Sequence, residues 1–313
     1  MKLVIIEPLG VEKSALLKMA ADVLPKDLDI VYYDTRVTDT QILIERGKDA
    51  DIIAVSNLPL NREVINGCKN LKMLSVAFTG VDHIAVDACR ENDILVSNCA
   101  GYSTAAVADL VFGMVIALYR RLTECNAVVR TEGTKDGLAG FELEGKKFGI
   151  IGTGAIGMRV AKIAAAFGCE VYACSRTVRE HTDIKYVDLN TLLSTCDIVS
   201  LHTPLNSDTK GLIGKEQLAL MKKDALLINT ARGPVVDSEA LADALNNEGI
   251  AGAGIDVFEV EPPVKKEHPL LNARNVIATP HIAFATKEAL VKRAVIVFDN
   301  VAKWLNNEPQ NVI

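Results

Sequence analysis

The stretch GIIGTGAIGMRVAKIAAAFGCEVYACSRT, residues 149–177, decides how the rest of the chain is read. It opens as an apolar run of strand character, turns through Gly152, Gly154 and Gly157, and continues as MRVAKIAAAFG, a segment of helical composition. A GxGxxG spacing is weak by itself, but between a strand and a helix each glycine has a mechanical task. Gly152 permits the tight turn, Gly154 lets a pyrophosphate approach the backbone, and Gly157 lets helix and strand pack closely. The N–H groups that open the helix then face the anion. The bland alternative is a glycine-rich turn that binds nothing. About 20 residues into the unit, where an acid would take the ribose hydroxyls of NAD, the chain has Ser175, Arg176 and Thr177. A carboxylate there repels a 2′-phosphate, whereas two hydroxyls and a guanidinium pair with one through charge-assisted hydrogen bonds. NADP(H) is favoured on this ground. NAD(H) stays possible, since Arg176 can instead stack on adenine or remain solvated.

Outward from this turn the same alternation repeats. Short Val- and Ile-rich runs are separated by stretches of helical period, which predicts an α/β chain with parallel sheets buried on both faces. KLVIIE, DIVYYD, DIIAVS, KMLSVA and ILVSN read as five strands in the first hundred residues, with helices such as EKSALLKMAADVL and DTQILIERG between them. KFGIIG, CEVYACS, IKYV, DIVSLH, ALLINT, AGAGIDVF and NVIATP read as a second, larger series. Between the two lies STAAVADLVFGMVIALYRRLTECNAVVRT, read as one nearly continuous helix suited to cross between domains, and TKEALVKRAVIVFDNVAKWLNN reads as a last amphipathic helix.

A chain of 313 residues with a formal net charge of -6 has room for two cores and no basic stripe for a nucleic-acid backbone. The run LVII ends at Glu7 and Pro8, too short for a signal peptide or membrane span, so a cytoplasmic protein with no membrane partner is expected. Seven scattered cysteines without CxxC spacing read as reduced core thiols.

Three further segments, LLINTARGPVVD (226–237), AGAGIDVFEVEP (251–262) and ATPHIA (278–283), together with the glycine turn, closely resemble the D-isomer-specific 2-hydroxyacid dehydrogenase family, glyoxylate/hydroxypyruvate reductase-like. AFTGVDHIAVDACRENDILVSNCAGYSTAAVADL (77–110) is similar to that family's substrate loop and hinge, so the resemblance spans nearly the whole chain. It implies two doubly wound parallel-sheet domains, a Rossmann NAD(P)-binding domain (100–284) inserted into a flavodoxin-like substrate domain (1–99 plus 285–313). A homodimer is implied as well, with no metal required.

Reduction of a 2-oxo acid to a D-2-hydroxy acid needs a cation for the carboxylate, polarisation of the carbonyl and a proton donor as hydride arrives. By the resemblance Arg232 supplies the first two, through a planar fork that lysine does not reproduce. His281 is the acid/base, and imidazole is the side chain that changes protonation near neutral pH. Glu261 orients it, and a neighbouring carboxylate favours the imidazolium. Their bland readings are a surface ion pair, a satisfied core histidine and a turn residue.

Thr79, Gly80 and Val81 resemble the loop whose N–H groups bind the substrate carboxylate, and Leu58 is placed in the same pocket. The cofactor contacts implied are Thr104, Ala155, Ile156, His202, Thr203, Pro204, Thr230, Ala231, Asp256 and Ala283, besides the glycines and Ser175, Arg176 and Thr177. Asp256 is assigned to the nicotinamide amide, with capping of local backbone as its alternative. Cofactor and substrate are expected to meet in a cleft whose closure excludes water.

His83 resembles a structural residue, while His181 and His268 read as solvated. Glu261 in place of glutamine argues against the formate-oxidising relatives. A phosphoglycerate dehydrogenase would need a further basic contact, for which Arg62 is a weak candidate. The loop RTEGTKDGLAGFEL lacks the tryptophan often found there, a departure from the family's pattern in the loop that contributes to a partner subunit's pocket. Phe284 either shapes the pocket for an apolar substrate tail or packs between domains. From another class, a nicotinamide-sensing corepressor with the same three residues is the rival reading.

Overall fold

A computed structural model describes residues 1–178 and 183–313. The chain divides into two compact units, Met1–Ser103 with Ala285–Ile313, and Thr104–Phe284.

In the first unit, β1 (Lys2–Ile5), β2 (Asp29–Tyr32), β3 (Ile52–Val55), β4 (Met73–Val76) and β5 (Leu95–Ser97) form a parallel sheet in the order β2-β1-β3-β4-β5. This is the flavodoxin-like order, which reverses between β1 and β3. The central strands β3 and β4 are buried at every residue, as their unbroken apolar runs require. The helices α1 (Lys13–Val23), α2 (Thr40–Gly47), α3 (Arg62–Gly67) and α4 (Val86–Glu91) complete the crossovers. Glu12, Asp39 and Asn61 start the first three by accepting N–H groups of the first turn.

The last helix, α11 (Lys287–Leu305), returns to this sheet. Its three- and four-residue spacing places Ala294, Val297, Phe298 and Val301 inside, and Ser75 of β4 donates its hydroxyl to the Val297 carbonyl at 3.0 Å. After it, Val312 bridges Ser97 antiparallel, and the Ile313 N–H donates to the Val96 carbonyl, which covers the edge of β5.

The second unit opens with α5 (Thr104–Tyr119) and α6 (Leu122–Val129). The single helix expected to cross between domains is therefore two helices, and it begins where the second unit begins. Arg121 adopts a left-handed backbone, φ 50°, and breaks the run. Two long-range contacts account for this. The Tyr119 carbonyl accepts from the Phe141 N–H at 3.0 Å, and the Arg121 guanidinium reaches the Gly137 carbonyl at 2.6 Å.

Then follow β6 (Lys147–Ile151), α7 (Ala155–Ala166), β7 (Glu170–Cys174), β8 (Ile184–Tyr186), α8 (Leu189–Thr195), β9 (Ile198–Leu201), α9 (Lys215–Leu220), β10 (Leu226–Asn229), α10 (Ser238–Asn246), β11 (Gly252–Ile255) and β12 (Val276–Ala278). Their strands form a seven-stranded parallel sheet, ordered β12-β11-β10-β9-β6-β7-β8. The order reverses at β6 and β9, so the crevice at their C-terminal ends is the expected ligand position of a doubly wound sheet. Among the described residues no helix is long and apolar enough to cross a membrane. All seven cysteines are free thiols. Five are buried, and burial pushes Cys99 and Cys196 up to about 12, so they stay protonated.

The inward face of α11 is testable. Phe298 is fully buried and Val295 is 42% exposed. Phe298→Ala is expected to cost about 3–5 kcal/mol in denaturant unfolding, and Val295→Ala less than about 0.5 kcal/mol. Equal losses would contradict the packing.

Candidate functional site

The glycine turn lies at the reversal point of the second sheet. Gly152 has φ +97°, and a Cβ on it would stand 2.6 Å from the His202 carbonyl oxygen at the end of β9. A Cβ on Gly157 would stand 2.0 Å from the Gly152 carbonyl oxygen. No side chain fits at either position. Gly154 is the N-cap of α7, with open space where its Cβ would be, no side-chain cap and no acid in the first turn. The N-terminal N–H groups of α7 are thus left uncapped beside exposed Ala155 and half-buried Ile156.

Across the turn, the Gly152 N–H donates to the Cys174 carbonyl at 2.8 Å, and the Thr153 hydroxyl donates to the Thr177 carbonyl at 3.4 Å. These bonds hold the end of β7 against the turn, with Arg176 and Thr177 exposed and Ser175 half-buried. His181 lies outside the described residues. On the other side, the hydroxyls of Thr203 and Thr230, after β9 and β10, are buried with no hydrogen-bond partner among the described residues. A buried unpaired hydroxyl costs free energy, and a bound ligand can satisfy it. His202 hydrogen-bonds the Ser200 hydroxyl at 2.9 Å. Although part of the residue is exposed, its ring is desolvated, which pushes the imidazole down to about 3 and keeps it neutral. An uncapped helix start, a cradle too tight for a Cβ and two orphan hydroxyls together fit a dinucleotide. Pro204 is exposed and Ala231 half-buried in the same loops.

Arg232, Glu261 and His281 follow β10, β11 and β12, which are neighbours in the sheet with Asn229, Ile255 and Ala278 in register. Parallel pairing therefore delivers all three loops to one edge. Asn229 fixes the first, donating to the Arg232 carbonyl at 2.9 Å and accepting the Ala231 N–H at 3.0 Å. Gly233 then packs on the second loop so closely that a Cβ would stand 2.1 Å from the Phe258 carbonyl carbon.

His281 has a left-handed backbone, φ 55°, which a non-glycine residue keeps only when its surroundings over-determine it. Asp256 does so. Its carbonyl accepts the His281 N–H at 2.8 Å, and its carboxylate accepts the Thr279 hydroxyl at 2.6 Å and the N–H groups of Ile282 and Ala283 at 2.8 and 2.9 Å. Burial pushes the Asp256 carboxyl up, opposed by these bonds. Glu261 lies 2.5 Å from His281 Nδ1 through one oxygen, and its other oxygen accepts the Phe258 N–H at 3.0 Å. The Phe284 ring meets the imidazole edge-on, with centroids 5.6 Å apart.

Of the two roles read for Asp256, its buried carboxylate fills the capping one, bracing the His281 loop. Several expectations change. Leu58 is fully buried in the core, its N–H held by Glu7 at 2.9 Å, so it lines no open pocket. His268 is not solvated. Its side chain is 15% exposed and lies 3.0 Å from Glu259. Arg62 is paired with Glu91.

In the first unit, Thr79 is exposed and Gly80 and Val81 are half-buried after β4, where Asn98 donates to the Thr79 carbonyl at 2.7 Å. His83 bonds the Ser56 carbonyl at 2.9 Å, a structural role. Thr104 is the half-buried first residue of α5. Sequence reasoning missed Glu7, whose buried carboxylate accepts the N–H groups of Ser56 and Leu58. Burial pushes its carboxyl up. The signal was an acid directly after an unbroken apolar strand. It also missed Glu259, two residues before Glu261. No group of three or more His, Cys, Asp or Glu among the described residues could hold a metal ion.

Residues 112–283 match the family model of the D-isomer specific 2-hydroxyacid dehydrogenase NAD binding domain. The chain is 37% identical over 295 residues to a hydroxypyruvate reductase of Blautia hydrogenotrophica, the match covering 91% of each chain. It is 36% identical to a glyoxylate reductase of Thermococcus litoralis, over 90% of this chain and 89% of that one. Among solved structures it resembles an acyclic imino acid reductase in complex with NADPH and D-Arg, with a TM-score of 0.91 and 33% identity over the whole of both chains. The uncapped glycine turn, the carboxylate-paired histidine and these matches have one explanation: the chain belongs to the D-isomer specific 2-hydroxyacid dehydrogenase family and is an NAD(P)-dependent oxidoreductase.

Proposed function

We propose that the chain reduces small 2-oxo acids to D-2-hydroxy acids, reversibly, and prefers NADPH. The observation that carries this reading is the contact between Glu261 and His281 Nδ1 at 2.5 Å, beside the loop of Arg232 at one edge of parallel strands. The names of the reductases of similar sequence support glyoxylate and hydroxypyruvate as first substrates to try.

When bound, a reduced nicotinamide supplies a hydride to the substrate's carbonyl carbon. Gly152, Gly154 and Gly157 and the first turn of α7 would hold the pyrophosphate, and the hydroxyls of Thr203 and Thr230 would find their partners on the cofactor. Arg232 holds the substrate carboxylate and orients the carbonyl through its planar fork. Glu261, fixed by the Phe258 N–H, engages Nδ1, so His281 exchanges its proton with the substrate oxygen through Nε2. The same carboxylate stabilises the imidazolium when the reaction runs toward oxidation. In the first unit, Thr79, Gly80 and Val81 remain the proposed substrate-loop residues.

His281→Ala is expected to lower kcat by about 100- to 10,000-fold with cofactor affinity near wild type, read by steady-state kinetics and NADPH fluorescence. Unchanged turnover would remove His281 from the mechanism. Absence of turnover across a panel of 2-oxo acids, with NADPH still bound, would favour the nicotinamide-sensing alternative.

The coenzyme preference rests on exposed Arg176 beside Ser175 and Thr177, with no acid among the three. A charge-assisted bond to a 2′-phosphate is worth about 1.5–3 kcal/mol, so Arg176→Ala should raise KM for NADPH by about 10- to 100-fold and leave KM for NADH unchanged. A wild-type enzyme that prefers NADH would reject the phosphate contact.

A cytoplasmic homodimer is part of the same proposal. The dimer, though not the location, is supported by α6, which has no buried residue and leaves Leu122 and Val129 on the surface, 50% and 69% exposed. Sedimentation should give twice the 33.7 kDa chain mass, and Leu122→Glu with Val129→Glu should give the single chain. A wild-type monomer would contradict it.

A further inference from the structure

The loop that carries Glu261 is tied down by three side chains that the acid/base chemistry does not use. One Glu259 carboxylate oxygen accepts the Ser238 hydroxyl at 2.5 Å, and the other lies 3.0 Å from His268 Nε2. His268 Nδ1 accepts the Leu270 N–H at 3.3 Å, which places the ring proton on Nε2, where Glu259 receives it. Ser238 is the first residue of α10, and His268 caps the short helical turn Pro269–Leu271. Glu259 therefore anchors its loop to two separate elements, and the 259–268 contact closes a segment that contains Glu261.

Phe258 connects this cluster to the reacting groups. Its ring stands edge-on to His268, with centroids 5.0 Å apart. Its N–H holds one oxygen of Glu261, and Gly233, next to Arg232, packs on its backbone. The geometry points to Ser238, Glu259 and His268 as a clamp of positioning residues that sets Glu261 against His281, an inference that rests on the acid/base reading above. The clamp adds little to stability, because the Glu259 side chain is 36% exposed and water competes for its bonds. A displacement of about 1 Å at a reacting group, in contrast, costs on the order of 100-fold in rate. Rate and stability therefore separate.

The test compares Glu259→Ala, His268→Ala and His268→Gln in the full chain, with His281→Ala as reference. The alanine variants should lower kcat by about 10- to 100-fold, while KM for NADPH and the melting temperature stay near wild type. His268→Gln keeps a donor at the place of Nε2 and should recover kcat to within about threefold. The second readout needs no turnover: the downfield proton resonance of the His281–Glu261 hydrogen bond, assigned by its loss in His281→Ala, should shift in the alanine variants and return in His268→Gln. An unmoved resonance with kcat within about twofold of wild type would overturn the clamp, as would a rate loss matched by loss of melting temperature. If the wild type turns over no 2-oxo acid, or His281→Ala stays active, the acid/base reading fails while the resonance still decides the clamp.

Discussion

The site depends on one carboxylate withdrawn from water. Asp256 ends the buried run of β11 and gives its two oxygens and its carbonyl to the loop after β12, and that loop holds His281 in a left-handed backbone. Buried polar groups of this kind are costly unless every bond is made, which is why they impose one conformation once satisfied. With the His281 backbone set, Glu261 needs only its own loop in place to reach Nδ1. Neighbouring parallel strands, ending in register, do the rest by bringing Arg232, Glu261 and His281 to the same edge.

The first unit uses the same physics. Glu7, after β1, takes the N–H groups of Ser56 and Leu58 after β3, at the point where that sheet reverses its order. At the opposite ends of the strands the two units share a second device. Asp51 accepts the Lys2 N–H at 2.9 Å and Lys72 at 2.8 Å, and Asp197 accepts the Lys147 N–H at 2.8 Å and Lys222 at 2.7 Å. Burial opposes ionisation of both, but these bonds hold both carboxyls below the usual range. Acids at strand ends thus register each sheet from both sides.

Much of this architecture is written locally. Runs such as KFGIIG and ALLINT, short, apolar and alternating with helical segments, read as strands buried on both faces, and a glycine turn between strand and helix announces its use before any coordinates. What stayed hidden depends on distant partners. The break at Arg121 follows from bonds to residues 137 and 141, invisible to helical periodicity. Leu58, placed by the resemblance in the substrate pocket, is buried with its N–H on Glu7, and His268 looks solvated until Glu259, nine residues away, meets it. The family resemblance already paired Glu261 with His281, and what the folded register adds is the atom and the distance, Nδ1 at 2.5 Å. Asp256 shows the limit most clearly, since the motif leaves two roles open for it and only its bonds to Thr279, Ile282 and Ala283 show that it braces the loop.

The central claim is that Arg232 and a glutamate-supported His281 grip one keto acid. A crystal structure with NADPH and oxamate, an unreactive 2-oxo acid mimic, tests it most directly. The account predicts the Arg232 guanidinium on the oxamate carboxylate and His281 Nε2 within about 3 Å of its carbonyl oxygen, with Glu261 still on Nδ1. Oxamate bound away from these residues, or His281 turned from it with Glu261 detached, would contradict it.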